Sequence, residues 1–259
     1  MDPAFLARTF GLAGRTALVT GGGSGLGLAI AEALGRSGAR VLVNGRHAER
    51  CESAVAQLRG AGIAALAVPF DVADAAAVTE AAARLAAEHI DVDVLVTSAG
   101  SQDRRPVTEM TSAQWQALMD VHVNGAFHCA RAWLPGMVSR SYGRIVLMSS
   151  VAGQAAMPNI AAYASAKGAV AAFARALAVE YGAHGITANA IAPGFARTGF
   201  TEALQGSAEF QKFLATAVPA GRWAEPHEIA PAVVYLASAA GAFVNGHVLT
   251  LDGGLLARL

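Results

Sequence analysis

The chain has 259 residues, 54 % of them hydrophobic and 15 % charged. That is enough apolar material for a sizeable core and excludes a disordered or fibrous protein. Its 19 basic and 19 acidic side chains cancel, so no basic excess marks a nucleic-acid binder and no charge block marks a tail. The two cysteines, Cys51 and Cys129, fit no metal-ligand spacing and make no disulfide framework, which points to a reducing cytoplasm and no metal.

The opening "MDPAFLARTFGLAGR" has an acid at position 2 and no long apolar run, so neither a signal peptide nor a membrane span is expected. "TALVT" (16–20) is a β-branched run closed by glycines and predicts the first strand. "GLGLAIAEALGRSG" (25–38) has apolar residues at helical spacing. "RVLVNG" (40–45) reads as a strand, "HAERCESAVAQLRGAG" (47–62) as a helix and "AALAVPFDV" (64–72) as a third strand. A helix over 75–89 leads to a fourth strand, "VDVLVTSAG" (92–100). Residues 111–138 read as one long helix, followed by a fifth strand, "GRIVLMSS" (143–150). The helix around "AAYASAKGAV" (161–170) precedes a sixth strand, "GITANAIAPG" (185–194). Residues 199–217 read as one or two mobile helices, 226–238 as another helix and "GHVLTLDGG" (246–254) as the last strand. Apolar strands joined by helices imply a parallel sheet covered on both faces. With no linker and no repeat, residues 1–259 make one doubly wound α/β domain. Its ligands belong beyond the C-terminal strand ends, near the point where strand order reverses.

"TGGGSGLG" (20–27) joins the first strand to the first helix. Such a turn lets backbone approach a pyrophosphate, and the helix start adds free N–H groups and positive dipole. A glycine cluster alone also suits any tight turn; the strand–turn–helix context favours the phosphate. The second strand ends in Asn44, Gly45 and Arg46, with no carboxylate to bond a ribose 2′-hydroxyl. Arg46 can pair with a 2′-phosphate through its planar fork, or simply face solvent. This favours NADP(H), with NAD(H) possible. Asp71 either bonds an adenine amino group or caps the following helix.

Tyr163 and Lys167 lie one helical turn apart. A free phenol is a poor base at neutral pH, and a nearby cation favours the phenolate. The pair therefore suits proton exchange with an alkoxide that forms or collapses during hydride transfer. Ser150, at the end of the fifth strand, is placed to bond a carbonyl oxygen; its neighbour Ser149 is the alternative.

Taken in order, "TGGGSGLG", Asp71, "SAG" (98–100), "VHVNG" (121–125), "SS" (149–150), "YASAK" (163–167), "APGFART" (192–198) and "LDGG" (251–254) resemble the short-chain dehydrogenase/reductases over nearly the whole chain. The 13-residue separation of Ser150 and Tyr163 is also that family's habit and favours Ser150 over Ser149. The resemblance implies a single Rossmann-type domain with about seven parallel strands, and an NAD(P)-dependent oxidoreductase that interconverts a secondary alcohol and a ketone. It implies catalysis by Ser150, Tyr163, Lys167 and Asn124, the last bending its helix and holding a water in a proton relay. It implies cofactor contacts at Gly21, Ser24, Gly25, Leu26, Gly27, Arg46, Asp71, Val72, Ser98, Ala99, Gly100, Tyr163, Lys167, Pro193, Gly194, Ala196 and Thr198. Ser98 stands where the family usually has Asn, which leaves the hydrogen bonding of that turn open.

The loop "SQDRRPVTEM" (101–110) borders the cleft in that family, and Arg104 and Arg105 can meet a carboxylate or remain solvated. Ser150 and Tyr163 complete the expected substrate contacts. With "GRWAEPHEI" (221–229) and "FVNGHVLTLDGG" (243–254), this loop looks most like the group of gluconate 5-dehydrogenases, hence a sugar acid or polyol as substrate. The alternative within the family is a 3-oxoacyl thioester (acyl-carrier-protein) reductase; outside enzymes it is an inactive nucleotide-sensing protein. Residues 199–217 would close over the substrate. The resemblance also implies a homotetramer; the charge balance and the lack of a long apolar run leave no nucleic-acid or membrane partner expected.

Overall fold

The computed structural model describes residues 2–258. Seven strands form one parallel sheet: β1 (Thr16–Thr20), β2 (Arg40–Val43), β3 (Ala65–Ala67), β4 (Val94–Thr97), β5 (Gly143–Met148), β6 (Ile186–Pro193) and β7 (Val248–Leu251). Their order is β3-β2-β1-β4-β5-β6-β7, so the direction of winding reverses between β1 and β4. A crevice opens there at the C-terminal strand ends, as doubly wound sheets require.

The helices are α1 (Pro3–Phe10), α2 (Gly25–Arg36), α3 (Ala48–Gly60), α4 (Ala75–Ala87), α5 (Ser112–Met119), α6 (Gly125–Ser139), α7 (Ala161–Tyr181), α8 (Glu202–Gln205), α9 (Ala208–Ala217) and α10 (Pro226–Ala237). Side chains alternate across each strand. Ala17 and Val19 of β1 therefore join the core under α2, α3 and α10, while Leu18 joins the core under α4, α6 and α7. Both faces are buried, which is why the strands carry apolar runs rather than alternation. Several helix starts are written locally. Asp74 caps α4 by accepting from the Ala76 and Ala77 N–H groups, and Thr111 with Gln114 forms a capping box on α5.

Three expectations change. The helix foreseen over 111–138 is broken: α5 and α6 are joined by a π-helical turn at Asp120–Asn124. The strands foreseen over 64–72 and 92–100 are shorter: pairing ends at Ala67 and Thr97, and of the residues beyond, Ser98 and Gly100 line the crevice. Residues 3–10, expected only to lack a long apolar run, form α1, with Asp2 as its cap and Pro3 in its first turn. No helix among the described residues is long and apolar enough to cross a membrane.

Asn44 fixes the exit of β2. It is fully buried, and its Nδ2 donates to the Val68 and Phe70 carbonyls, both at 3.0 Å. It thereby holds the chain leaving β3 beside the glycine loop. A carboxylate here would face two carbonyl oxygens with no donor. Asn44→Asp is expected to destabilise the fold by about 2–4 kcal/mol, read as a lower midpoint in chemical denaturation at neutral pH, with part of the loss recovered at acid pH.

Candidate active site

The site is assembled where β5 meets α7. Lys167 Nζ donates to the Met148 carbonyl at 2.6 Å, and Ser149 Oγ donates to the Lys167 carbonyl at 2.8 Å. Ser149 is thus the buried link, while half-buried Ser150 lines the cleft with its hydroxyl accepting from the Ala152 N–H at 3.1 Å. Lys167 Nζ lies 5.5 Å from the centre of the Tyr163 ring. Ser150, Tyr163 and Lys167, dispersed over 18 residues of sequence, therefore meet in one cleft of about 900 Å³.

The other end of that cleft is the glycine loop. Gly21, Ser24, Gly25, Leu26 and Gly27 line it. A Cβ on Gly21 would come within 2.8 Å of Ala99 Cα, and φ is +65° there, so only glycine lets the two strand ends approach. Ser24 precedes α2 without capping it through its side chain, which leaves first-turn N–H groups for a ligand. The bare loop, the open helix start and the length of the cleft fit a nicotinamide dinucleotide. Ser98, Gly100, Pro193, Gly194, Ala196 and Thr198 line the same cleft.

Some expected contacts lie elsewhere. Asp71 accepts from the Ala73 N–H at 2.9 Å, turning the chain toward α4, and does not line the cleft. Val72 packs against Gly125, and its carbonyl meets His128 Nδ1 at 3.0 Å. Ala99 bonds Thr20 Oγ1 through its N–H and stands behind the lining. Arg46 is exposed beside His47, outside the lining, whereas Arg50, one turn further on, lines the cleft. Nothing local in the sequence marks Arg50, which the docking of α3 against the glycine loop brings there.

Two of the expected site residues do not line the cleft. Asn124 does not line the cleft: its Nδ2 donates to Asp120 Oδ1 at 2.6 Å. The π turn rotates the chain so that His122 lines the cleft instead. Arg105 does not line it either. Its Nε pairs with Asp103 Oδ1 at 2.6 Å, and its N–H bonds the Asn159 carbonyl. Arg104 does line the cleft, close enough to Tyr163 for its charge to be felt there. Residues 199–217 form α8 and α9 with a short preceding turn, and Phe200, Leu204 and Phe213 line the cleft.

Electrostatics drive the reacting groups toward neutrality. Burial pushes the Tyr163 phenol up, opposed by a hydrogen bond with Ser150 and by the Arg104 charge. Ser150 and Arg104 are thus the groups that oppose burial at the phenol. Burial pushes Lys167 down to about 7.

A dinucleotide cradle and a Ser–Tyr–Lys cluster at the reversal point of a doubly wound sheet define a nicotinamide-dependent oxidoreductase acting on CH–OH groups. The comparisons agree. The family described as enoyl-(acyl carrier protein) reductase matches residues 21–256. Gluconate 5-dehydrogenase of Gluconobacter oxydans is 40 % identical over 96 % of this chain and 98 % of its own. The 5-keto-D-gluconate 5-reductase of Escherichia coli K12 is 38 % identical over 95 % and 97 %. A crystal structure of a gluconate 5-dehydrogenase from Burkholderia cenocepacia, in complex with NADP and tartrate, superposes with a TM-score of 0.95 at 39 % identity, covering 98 % of this chain and 99 % of that one. The chain belongs to the short-chain dehydrogenase/reductase family.

The burial of Lys167 has a pH signature. Its pKa is about 7 in the fold against about 10.4 when unfolded. The folded state then binds fewer protons than the unfolded state between those values, so stability rises with pH across that window. The penalty is fully present below pH 7 and gone above about 10.5, on the order of 5 kcal/mol in all. Lys167→Met is expected to melt higher than wild type at pH 6 and to lose that advantage by pH 10. A difference in melting temperature that is flat with pH would show that Lys167 titrates normally.

Proposed function

We propose that this chain is an NADP(H)-dependent dehydrogenase that interconverts gluconate and 5-ketogluconate. The observation that carries the substrate class is the contrast between two adjacent arginines. Arg105 is bound to Asp103, while Arg104 lines the cleft within electrostatic reach of Tyr163. A cation at that distance from the acid/base group suits a ketone with a carboxylate a few carbons away. Two similar relatives bear names of the same chemistry.

A bound nicotinamide coenzyme supplies or accepts the hydride. The protein's own groups handle the oxygen and its proton. Ser150 donates to the substrate oxygen and orients it. Tyr163 gives its proton to the forming alkoxide during reduction and recovers it during oxidation. Lys167 holds the nicotinamide ribose and, when protonated, favours the phenolate. Arg50 on the cleft and Arg46 beside it receive the 2′-phosphate, with no carboxylate at the end of β2 to repel it. The NADP-bound relative supports that choice.

Residues 199–217 act as the lid. Phe210 and Phe213 of the lid pack edge-on or tilted against Phe195 and Trp223 outside it, with ring centroids 5.0–6.1 Å apart, which anchors the lid at that end. Its apolar inner face, Phe200, Leu204 and Phe213, is the one observation that favours a 3-oxoacyl thioester instead. As an assembly we place four copies together in the cytoplasm. Phe127 on α6 is 46 % exposed and Val179 on α7 is 87 % exposed, apolar area that a second copy would cover.

Initial rates followed by cofactor absorbance test this reading. Wild type should reduce 5-ketogluconate with NADPH and do so poorly with NADH. Arg104→Ala should raise KM for the keto acid at least about tenfold, the loss of one charge-assisted hydrogen bond, while Arg105→Ala stays within about threefold of wild type. Arg50→Ala should raise KM for NADPH and leave KM for the keto acid unchanged. Turnover of a short 3-oxoacyl thioester alone would move the chain to acyl chemistry. NADPH binding without turnover of either substrate would favour the nucleotide sensor.

A further inference from the structure

His122 is the imidazole that lines the cleft, and its surroundings are those of a working group. The ring is 4 % exposed. Its edge meets the Tyr163 ring, with centroids 5.5 Å apart and planes at 82°. Nε2 sits against both polar groups of one residue: the Ser101 N–H is 3.2 Å away and the Ser101 carbonyl 2.8 Å away. One tautomer accepts from that N–H and the other donates to that carbonyl. Nε2 is therefore satisfied in either form.

The opposite nitrogen, Nδ1, is buried with no hydrogen-bond partner among the described residues. Native proteins seldom leave such an atom unpaired. The ring also stays neutral. Burial, with the nearby Lys167 charge second, pushes its pKa down to about 3 against the opposing Ser101 contact. Because Nε2 tolerates both tautomers, Nδ1 can present a donor or an acceptor, whichever its partner needs. The ring does not pass a proton through itself, since Nε2 faces only a backbone amide that neither gains nor loses protons at neutral pH. Space for the ring is reserved by Gly100, where a Cβ would lie 2.8 Å from His122 Cε1.

We propose that His122 is a positioning residue: its Nδ1 hydrogen-bonds a hydroxyl held beside Tyr163 and Lys167, either of the nicotinamide ribose or of a water in the proton path. The inference rests on the oxidoreductase reading and not on the choice of sugar acid.

Two variants separate its roles. His122→Phe keeps an aromatic edge against Tyr163 but removes both nitrogens. His122→Asn restores a short donor and acceptor. NADPH affinity is measured by fluorescence, kcat and KM with the ketone that wild type reduces, and folding by thermal melts. If the partner is the ribose, His122→Phe weakens NADPH binding about tenfold or more, with kcat at saturation largely kept; if it is a water, NADPH binding holds and kcat falls by about ten- to hundredfold. In either case His122→Asn recovers most of the loss. A folded His122→Phe with kcat and NADPH affinity within about twofold of wild type overturns the proposal. Should that variant not fold, 15N-labelled wild type decides. A hydrogen-bonded Nδ1 shift in the NADPH complex is expected, and the shift of a free imidazole nitrogen there overturns it. NADPH binding and NMR need no substrate, so a wrong substrate class would leave both tests standing.

Discussion

Everything at the reacting end depends on one buried cross-link, the amine of Lys167 on the carbonyl of Met148. It joins the last residue of β5 to the second turn of α7. Ser149 answers it from the same strand end by bonding the Lys167 carbonyl. Gly153 closes the junction, because a Cβ there would lie 2.8 Å from the Lys167 backbone. Once strand end and helix are locked in this register, Ser150 and Tyr163 have no freedom to separate. Two buried side chains, each donating to a backbone carbonyl of the opposite element, set geometry more firmly than two long surface side chains meeting in water.

That cross-link also sets the electrostatics. The depth that fixes Lys167 removes it from water, and Tyr163 and His122 share the same shielded space. Burial disfavours whichever form is charged, so it raises the phenol and lowers both the amine and the imidazole. The phenol and the imidazole are thus held neutral, the imidazole also by the Lys167 charge, while burial weakens the hold of the amine on its proton. Arg104, at the more open edge, keeps its charge because a guanidinium does not deprotonate in proteins. Ionisation of the inner groups is then governed by what enters the cleft.

The parallel sheet was legible because fully buried strands show themselves as apolar runs, and the glycine loop because its context was intact. Ser150, Tyr163 and Lys167 were legible because helical spacing and strand ends are local features. His122 was not. Continuous 3.6-residue periodicity predicts one helix through 111–138, and nothing in "DVHVN" marks the extra residue per turn that rotates Asn124 off the cleft. The adjacent Arg104 and Arg105 could not be told apart either. Which one reaches inward is decided by Asp103 and by the Asn159 carbonyl, a partner more than fifty residues away. Arg50 reads from sequence as a surface residue of α3, and only the docking of that helix against the glycine loop brings it to the cleft.

The walls of the cleft differ in a way that bears on what it accepts. Arg104 stands on the loop wall, while the lid presents Phe200, Leu204 and Phe213 together with the carboxylate of Glu202. A ligand with one carboxylate and several hydroxyls can place its charge against the arginine and its hydroxyls against Glu202, with its C–H faces on the rings. A second carboxylate near Glu202 would be repelled at close range. An acyl chain would find the aromatic rings but would leave Arg104 unanswered and would strip water from Glu202 without returning a hydrogen bond, a net loss in a closing site. The apolar lining therefore does not by itself argue for a lipid-like substrate. In a cleft with Arg104 on the loop and Glu202 on the lid, the polar groups discriminate, and the rings supply the water-free contact that makes their discrimination count.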